Sequence, residues 1–132
     1  ALTPLVVHRR ELRPDRGGPG EHRGGLGQTM EVEVRTDRPY LFSGVYARCE
    51  PPAPGLDGGG PGATGAVETQ NGEVVQPKIS RMLPPDTVVA LHIPGGGGFG
   101  DPARRDPEAL AQDIADGYVT PEAARRDYGA DV

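Results

Sequence analysis

Two glycine-rich segments carry the residues of this chain that are best suited to bind an anion. In the first, Arg23 is followed by Gly24 and Gly25, so a guanidinium stands beside backbone that can approach a ligand closely. The second is a run of four consecutive glycines, Gly95, Gly96, Gly97 and Gly98. The same residue types also suit a close crossing of two backbones, with Arg23 paired to Glu21 or to a carboxylate of a partner. The sequence leaves both interpretations open and favours the second.

The glycine run has a weak likeness to nucleotide-binding loops. Gly95, Gly97 and Gly100 follow a strand-like apolar run with the spacing of a dinucleotide-binding fingerprint. That fingerprint needs a helix that opens directly on the glycines, whereas Asp101-Pro102 intervenes here. A phosphate-binding loop of the Walker type fits less well still, because no Gly-Lys-Ser or Gly-Lys-Thr follows the run. We therefore expect a structural or partner-facing glycine turn.

The histidines and the cysteine predict no metal centre within the chain. His8, His22 and His92 are separated by 14 and 70 positions, without the i, i+4 spacing that places two ligands on one helix face. Cys49 is the single cysteine, which excludes an internal disulfide and a cysteine zinc cluster. A nucleophilic pair of Cys49 with one histidine stays open, although a lone thiol is more often inert.

The composition predicts a chain that does not bury a sufficient core by itself. Glycine and proline account for 21 and 15 of the 132 residues, and tryptophan is absent. Little apolar surface is then available to offset a backbone entropy of about 1–2 kcal/mol per ordered residue. We expect a piece of something larger that packs against a partner.

Charge and hydropathy exclude two classes of partner. The formal net charge is −5 and the arginines are interleaved with carboxylates, whereas nucleic-acid binding needs a basic face. No apolar run reaches the roughly 18 residues that a membrane span needs. The sequence therefore predicts a soluble, cytoplasmic protein that binds neither nucleic acid nor a membrane.

The apolar pattern predicts an α+β fold of short antiparallel strands and long Gly/Pro-rich loops, followed by a C-terminal two-helix hairpin. Residues 1–105 form the β-rich, glycine-loop region and residues 106–132 the helical hairpin, together one partial domain of a larger subunit. Residues 30–35 alternate apolar and charged side chains, as a half-buried strand does, and 40–46 is the predicted hairpin mate. Leu5-Val6-Val7 predicts a short edge strand, a candidate for addition to a partner's sheet.

Two further strand signals and one long loop complete the β-rich region. Asn71-Gly72 predicts a tight turn between short strands at 66–69 and 74–77. Residues 88–93 predict a strand that leads into the glycine run. Residues 51–65 show no helical or strand period and predict a long loop.

The helical hairpin is predicted from its capping residues. Asp106-Pro107-Glu108 and Thr120-Pro121-Glu122 each supply an N-cap, a proline at the first helical position and an acid in the first turn. Gly117 and Gly129 are the expected C-terminal stops. An apolar seam is predicted along one face, formed by Leu110, Ile114, Tyr118 and Ala124.

Four motifs follow one another between about residue 17 and residue 132. They are Arg23-Gly24-Gly25-Leu26-Gly27, Gly58-Gly59-Gly60-Pro61-Gly62, the string from Pro94 to Pro102, and the stretch from Asp113 to Ala124 before Asp127-Tyr128-Gly129. Their order and spacing resemble the C-terminal portion of the hydantoinase B/oxoprolinase family. The relatives with this tail include ATP-dependent oxoprolinases, N-methylhydantoinases, lactamases, and acetone and acetophenone carboxylases.

The resemblance implies a place within an ATP-dependent assembly. One type of subunit phosphorylates a carbonyl or lactam oxygen with ATP, and the B type completes hydrolysis or carboxylation. This chain would then be the last part of the B-type subunit of a cyclic-amide hydrolase, inactive alone. Its expected partners are the remainder of that subunit and an ATP-binding A-type subunit in a hetero-oligomer. ATP and a divalent metal are expected elsewhere in the assembly, and no catalytic or metal-binding residue is carried over to this chain.

The resemblance assigns by position only the Arg23-Gly24-Gly25 turn and the glycines 95–98, as elements that line the site or the subunit seam. A phosphorylated intermediate is anionic and needs donors, for which Arg23 is one candidate and Lys78 a second. Two alternatives stay open. The chain is an accessory subunit of a related ATP-dependent carboxylase of the acetone or acetophenone type, or it is a non-catalytic interaction module.

Overall fold

The computed structural model describes residues 4–132, which form two antiparallel sheets and two helices. The strands are β1 Leu5–Leu12, β2 Gln28–Val34, β3 Tyr40–Ser43, β4 Ala66–Thr69, β5 Ser80–Leu83 and β6 Val88–His92. The helices are α1 Pro107–Ala115 and α2 Pro121–Tyr128, preceded by a 3₁₀ turn at Pro102–Arg104. One sheet has the strand order β1-β2-β6-β4 and the other pairs β3 with β5. The α+β class predicted from the sequence is confirmed.

The strand predicted at 30–35 is confirmed as β2, but its partners are not the ones predicted. β2 pairs with β1 on one side, where Val32 is opposite Val7, and with β6 on the other, where Val32 is opposite Val89. Both edges of β2 are therefore occupied, and β3 pairs with β5 instead. The predicted hairpin between 30–35 and 40–46 is wrong, because a longer-range pairing with β6 takes that edge.

Two of the other predicted strands are confirmed. Leu5-Val6-Val7 begins the edge strand β1, which continues to Leu12 after a register shift between Val7 and Arg9. Residues 88–93 contain β6, which leads directly into the glycine run as expected.

The hairpin predicted around Asn71-Gly72 forms only in part. The tight turn is present, with Gly72 at a φ of 78° and the Thr69 amide donating to the Glu73 carbonyl over 2.9 Å. Residues 66–69 form β4, but the strand predicted at 74–77 is reduced to an isolated bridge between Val74 and Glu68. Pro77 at the end of that segment has no amide with which to continue a ladder.

An apolar core lies between the two sheets. Its buried members share small to medium aliphatic side chains, namely Val67, Val75, Leu83 and Val89. Two tyrosines pack on this cluster and keep their hydroxyls satisfied, since Tyr40 donates to the Thr87 carbonyl and Tyr46 to the Val75 carbonyl. Burial raises the pKa of both tyrosines.

Three glycine-rich segments, residues 16–25, 53–63 and 94–100, pack backbone against backbone, and we call them the glycine bundle. They lie at one end of the larger sheet, because the first joins β1 to β2, the second precedes β4 and the third follows β6. Each segment is hydrogen-bonded to both others: Gly18 N to Gly96 O over 2.8 Å, Leu56 N to Gly98 O over 2.9 Å, and Gly60 N to Pro19 O over 2.8 Å. The long loop predicted at 51–65 is thus fixed by its own amides.

The glycine run is required by this packing. A Cβ added at Gly98 would lie 2.1 Å from the Pro19 carbonyl oxygen, and one at Gly95 would lie 1.8 Å from the Arg16 carbonyl oxygen. Both distances are far inside van der Waals contact, so any side chain would push two backbones apart, as in other glycine-only crossings. Gly95, Gly97 and Gly98 are therefore required at a backbone crossing, whereas a Cβ at Gly96 would meet nothing nearer than 3.3 Å.

The two helices begin and end where their capping residues predict. The Asp106 side chain accepts from the Glu108 amide, and the Thr120 side chain accepts from the Ala123 amide. Gly117 and Gly129 have φ values of 77° and 67°, which L side chains rarely adopt. The seam between the helices is made of Leu110, Val119, Ala123 and Ala124, with Ile114, Tyr128 and Ala130 at its border.

One member of the predicted seam is wrong. Tyr118 lies outside that cluster, and its ring faces the guanidinium of Arg23 at 5.8 Å from the ring centroid. The four-residue spacing placed it on the helical face, but α1 ends at Ala115 and Tyr118 belongs to the connection between the helices.

The glycine bundle predicts a sharp difference between two alanine substitutions. We expect Gly98→Ala to lower the free energy of unfolding by about 3 kcal/mol, because its Cβ would overlap the Pro19 and Gly18 carbonyl oxygens. Gly25→Ala is the matched control, since a Cβ there meets nothing within 4 Å and its φ is not left-handed. Chemical denaturation of both variants measures the difference. Equal stability of the two would contradict the bundle packing.

Candidate functional site

Arg23 lies in a buried ion network between the glycine bundle and the helices. Its Nε donates to Asp113 Oδ2 over 3.0 Å and its Nη2 donates to Asp113 Oδ1 over 3.2 Å. Arg105 donates to the same carboxylate over 2.8 Å. The three side chains are only 17%, 10% and 12% exposed, in the order Arg23, Asp113 and Arg105. This arrangement is a two-point clamp of one arginine on a carboxylate, strengthened by a second arginine.

The charge balance at Asp113 stabilises its ionised form. Burial alone would raise the pKa of this carboxyl group. The hydrogen bond and charge of Arg23, together with those of Arg105, outweigh burial and hold the pKa below its ordinary value of 3.8. Asp113 is therefore a carboxylate at neutral pH, and it neutralises part of the charge of both arginines.

Three of the five N–H groups of Arg23 are committed within the chain. Its Nη1 donates to the Gly24 carbonyl over 2.9 Å, so each of its three nitrogens already has a partner. The pairing interpretation of Arg23 is the one the structure shows, but the carboxylate belongs to Asp113 of the same chain rather than to Glu21 or a partner. The sequence did not indicate this pair, since 90 positions separate the two residues.

A second polar contact joins the start of α2 to Asp15, which directly precedes the first segment of the glycine bundle. Both carboxylate oxygens of Asp15 accept from Thr120, one from its amide over 2.7 Å and one from its hydroxyl over 2.8 Å. The Asp15 amide in turn donates to the Tyr118 carbonyl over 3.0 Å. Asp15 therefore caps the start of α2 from outside the helix.

The amides of the glycine run are mostly committed to the chain itself. Gly95 N donates to Ala63 O, Gly96 N to Gly25 O and Gly98 N to Gly60 O, over 3.0, 2.8 and 2.9 Å. Within residues 4–132, only the Gly97 amide of the four has no such backbone partner. A phosphate-binding loop needs several free amides that converge, so this geometry favours a structural run over a nucleotide loop.

Lys78 lies elsewhere, in a cavity of about 800 Å³ that we call the basin. The basin is lined by residues 46–51, 64–67 and 74–78, and Arg23 and the glycine run are not among them. The structure therefore does not bring Lys78 to Arg23. Cys49 also lines the basin, but no histidine does, so the nucleophilic pair of Cys49 with a histidine is not formed there.

A hydrogen-bonded histidine was missed by the sequence analysis. His92 Nδ1 lies 3.0 Å from Thr29 Oγ1, and His92 Nε2 lies 2.9 Å from Glu68 Oε1. Thr29, His92 and Glu68 stand on β2, β6 and β4, where strand pairing places Thr29 opposite His92. The only signal would have been the strand register, which sequence spacing does not contain. Both ring nitrogens are engaged, which is the state of a satisfied histidine rather than of a free base.

Residues 4–132 contain neither a cluster of metal ligands nor a helix that could span a membrane. Across that range, no three histidine, cysteine, aspartate or glutamate side chains converge in a way that could hold a metal ion. None of the helices in the same range is both long and apolar enough to span a bilayer.

The Asp113 network predicts a pH-dependent contribution to stability. We expect Asp113→Asn to lower the free energy of unfolding by about 3 kcal/mol at pH 7, because two buried arginines lose their counter-charge. Since the folded pKa is depressed, this stabilisation is complete above the ordinary value of 3.8 and is lost as the pH falls through the folded pKa. Denaturation of both proteins between pH 7 and pH 2 should show a constant difference down to about pH 3.8 and convergence of the two curves below it.

Asp131→Asn is the control for this experiment, since Asp131 is exposed and makes no ion pair among the described residues. A constant difference between wild type and Asp113→Asn at all pH values would contradict the role of the ionised carboxylate.

Comparison with known proteins identifies the family. The family described as Hydantoinase B/oxoprolinase matches residues 1–102. A protein of Pseudomonas sp. (strain NS671), named as the B component of a D-/L-hydantoinase, is 35% identical over 98% of this chain and 22% of its own length.

Solved structures show the same relationship. The ATP-dependent caprolactamase from Pseudomonas jessenii superimposes with a TM-score of 0.77 at 26% identity, covering 98% of this chain and 24% of that one. Acetone carboxylase in its nucleotide-free form gives a TM-score of 0.68 at 26% identity, covering 96% of this chain and 21% of that one. The chain thus spans less than a quarter of the length of each of these three relatives. Family match, sequence identity and fold agree, and the chain belongs to the hydantoinase B/oxoprolinase family.

Proposed function

We propose that this chain is the C-terminal part of the B-type subunit of an ATP-dependent cyclic-amide hydrolase. The observation that carries the proposal is the likeness, over nearly the whole chain, to relatives named for hydantoin and caprolactam. Both compounds contain a ring amide. The activity belongs to the assembly, since the chain spans only 22% of the hydantoinase relative.

The contribution of this segment is a rigid frame. The glycine bundle fixes three backbone segments without side chains, and the Asp113 network fixes the helices to one of them. A frame of this kind holds neighbouring parts of a subunit in position, which a reaction through an anionic intermediate requires. In this proposal Arg23, Gly24, Gly25 and the glycines 95–98 act as frame and line the subunit seam.

The cofactors and partners of the proposal lie outside the chain. We place the ATP site on an A-type subunit and a divalent metal in the remaining part of the B-type subunit. Relatives named as subunits support a hetero-oligomer. We also place the assembly in the cytoplasm, where the ATP that the reaction consumes is supplied.

A ketone carboxylase is the second candidate function. The observation that favours it is the superposition on acetone carboxylase with a TM-score of 0.68. The chain would then have the same structural role in an assembly that joins the formation of a carbon–carbon bond to ATP hydrolysis. The caprolactamase superposition is the better of the two, with a TM-score of 0.77, so we favour the cyclic amide.

The two functions are distinguished by the substrate that stimulates ATP hydrolysis. The assembly that contains this chain is purified and ADP release is measured with 5-oxoproline, hydantoin or caprolactam, and separately with acetone or acetophenone and bicarbonate. We expect stimulation by one cyclic amide and a ring-opened product in the mass spectrum. Stimulation by a ketone with bicarbonate, and a carboxylated product, would replace the first proposal with the second.

The frame role predicts how Arg23 responds to substitution. We expect Arg23→Gln to lower the thermal midpoint of the assembly and to leave KM for ATP and cyclic amide within about twofold. Arg16→Gln is the matched control, because Arg16 is exposed and its side chain makes no ion pair among residues 4–132. A KM that rises about tenfold at an unchanged thermal midpoint would instead make Arg23 an anion-binding residue.

A further inference from the structure

The basin is a large concave surface that nothing in the described chain fills. It has a volume of about 800 Å³ and lies between three segments, 46–51, 64–67 and 74–78. Part of its wall is the core itself, since Val67 and Val75 line it and are almost completely buried. The basin therefore reaches to the edge of the apolar core, and an element that docked in it would lie against that core.

Two cations stand at the basin, and neither is neutralised. Arg48 and Lys78 both line it. The ion pairs formed among residues 4–132 use other cations. Both side chains are exposed, and two cations against one carboxylate in the lining leave a net positive charge there, on a chain with a formal net charge of −5. Only Glu50 among the lining residues carries a negative charge.

Both cations have a backbone conformation that is energetically unfavourable for residues with a side chain. Arg48 and Lys78 have φ values of 60° and 63°, in the left-handed region that residues with a Cβ rarely adopt. Hydrogen bonds hold them there: the Lys78 amide donates to the Gly44 carbonyl, and the Arg48 carbonyl accepts from the Gly65 amide, each over 3.0 Å. The two side chains therefore leave the backbone from defined points.

Exposed apolar residues lie within the lining segments of the basin or next to them in sequence. Val45 precedes the first lining segment and is 85% exposed, Val74 lines the basin and is 55% exposed, and Ile79 follows Lys78 and is 54% exposed. A small anion bound by Arg48 and Lys78 would leave these three side chains in water. A polypeptide that brings both carboxylates and apolar side chains would cover them.

We propose that the basin receives an acidic segment from the part of the B-type subunit that this chain does not contain. The proposal rests on the proposed function, because it takes the missing chain from the relatives, of whose length this chain spans 22% and 24%. Carboxylates of that segment pair with Arg48 and Lys78, and its apolar residues cover Val45, Val74 and Ile79. The docking fixes this segment to the rest of the subunit through charge and apolar contact together.

Lys78 makes the proposal directly testable, because it is the single lysine of the chain. A carbodiimide joins a lysine amine to a carboxylate only when the two are in contact. We expect treatment of the intact assembly, followed by digestion and mass spectrometry, to link Lys78 to an aspartate or glutamate outside these 132 residues. Lys78→Arg keeps the charge and removes the reactive amine, so it is the control in which the link disappears while the assembly stays intact.

Two outcomes would overturn the docking. In one, the Lys78 amine of the intact assembly is acetylated as fast as a lysine in an unfolded peptide and forms no external link. In the other, Lys78 is free in the resting assembly and becomes protected only when ATP and cyclic amide are added, which would make the occupant an anionic substrate or intermediate.

Charge reversal at Lys78 and maleimide labelling of Cys49 test the docking independently of the cross-link. We expect Lys78→Glu to lower the thermal midpoint of the intact assembly below that of Lys78→Arg, since a like-charge contact replaces an ion pair. Cys49 lines the same basin, so its thiol should react with maleimide about tenfold faster in the Lys78→Glu assembly than in the Lys78→Arg assembly, and equal rates would contradict the docking. These measurements do not depend on the reaction, so a failed activity assay and a failed docking are distinguishable.

Discussion

The structure depends on the close approach of three backbones in the glycine bundle. The three segments are joined to one another mainly by amides that donate to carbonyls on a neighbouring segment. The bundle also closes one end of the larger sheet, because the connections after β1 and β6 and the one before β4 all enter it. The sheet thereby fixes the ends of the three segments, and the segments hold the strand ends together in return.

Ion pairs and hydrogen bonds, in addition to apolar packing, hold the two helices against the glycine bundle. The helices share a seam of one leucine, one valine and two alanines, which is too small to fix their orientation against the bundle. Asp113 and Asp15 supply that orientation, one through two arginines and one through the start of α2. Such contacts are directional, whereas apolar packing is not, and this suits a frame whose function is to hold position.

Features with a local cause were predictable from the sequence, and features with a distant cause were not. The N-caps Asp106 and Thr120 depend on neighbours within a few positions, and both form as predicted. The partner of β3 was missed, because the competition for the edge of β2 is decided by a strand more than fifty positions away. Arg23 was recognised as a cation in need of a partner, but that partner lies 90 positions away. The charge excess at Arg48 and Lys78 emerges only when a loop and a hairpin are folded together, so no sequence spacing contains it.

The order of segments in the glycine bundle also sets when it can form during synthesis. Its hydrogen bonds join residues near 18, 60 and 98. Each pair of segments is therefore far apart in sequence, and none of these contacts forms by local folding. On the ribosome, the first segment waits until about 80 further residues have been made before its last partner exists. Glycine-rich chain without a partner has neither helical nor apolar order to protect it during that interval. Assembly of this region is therefore completed late in synthesis, only after its third segment has been made.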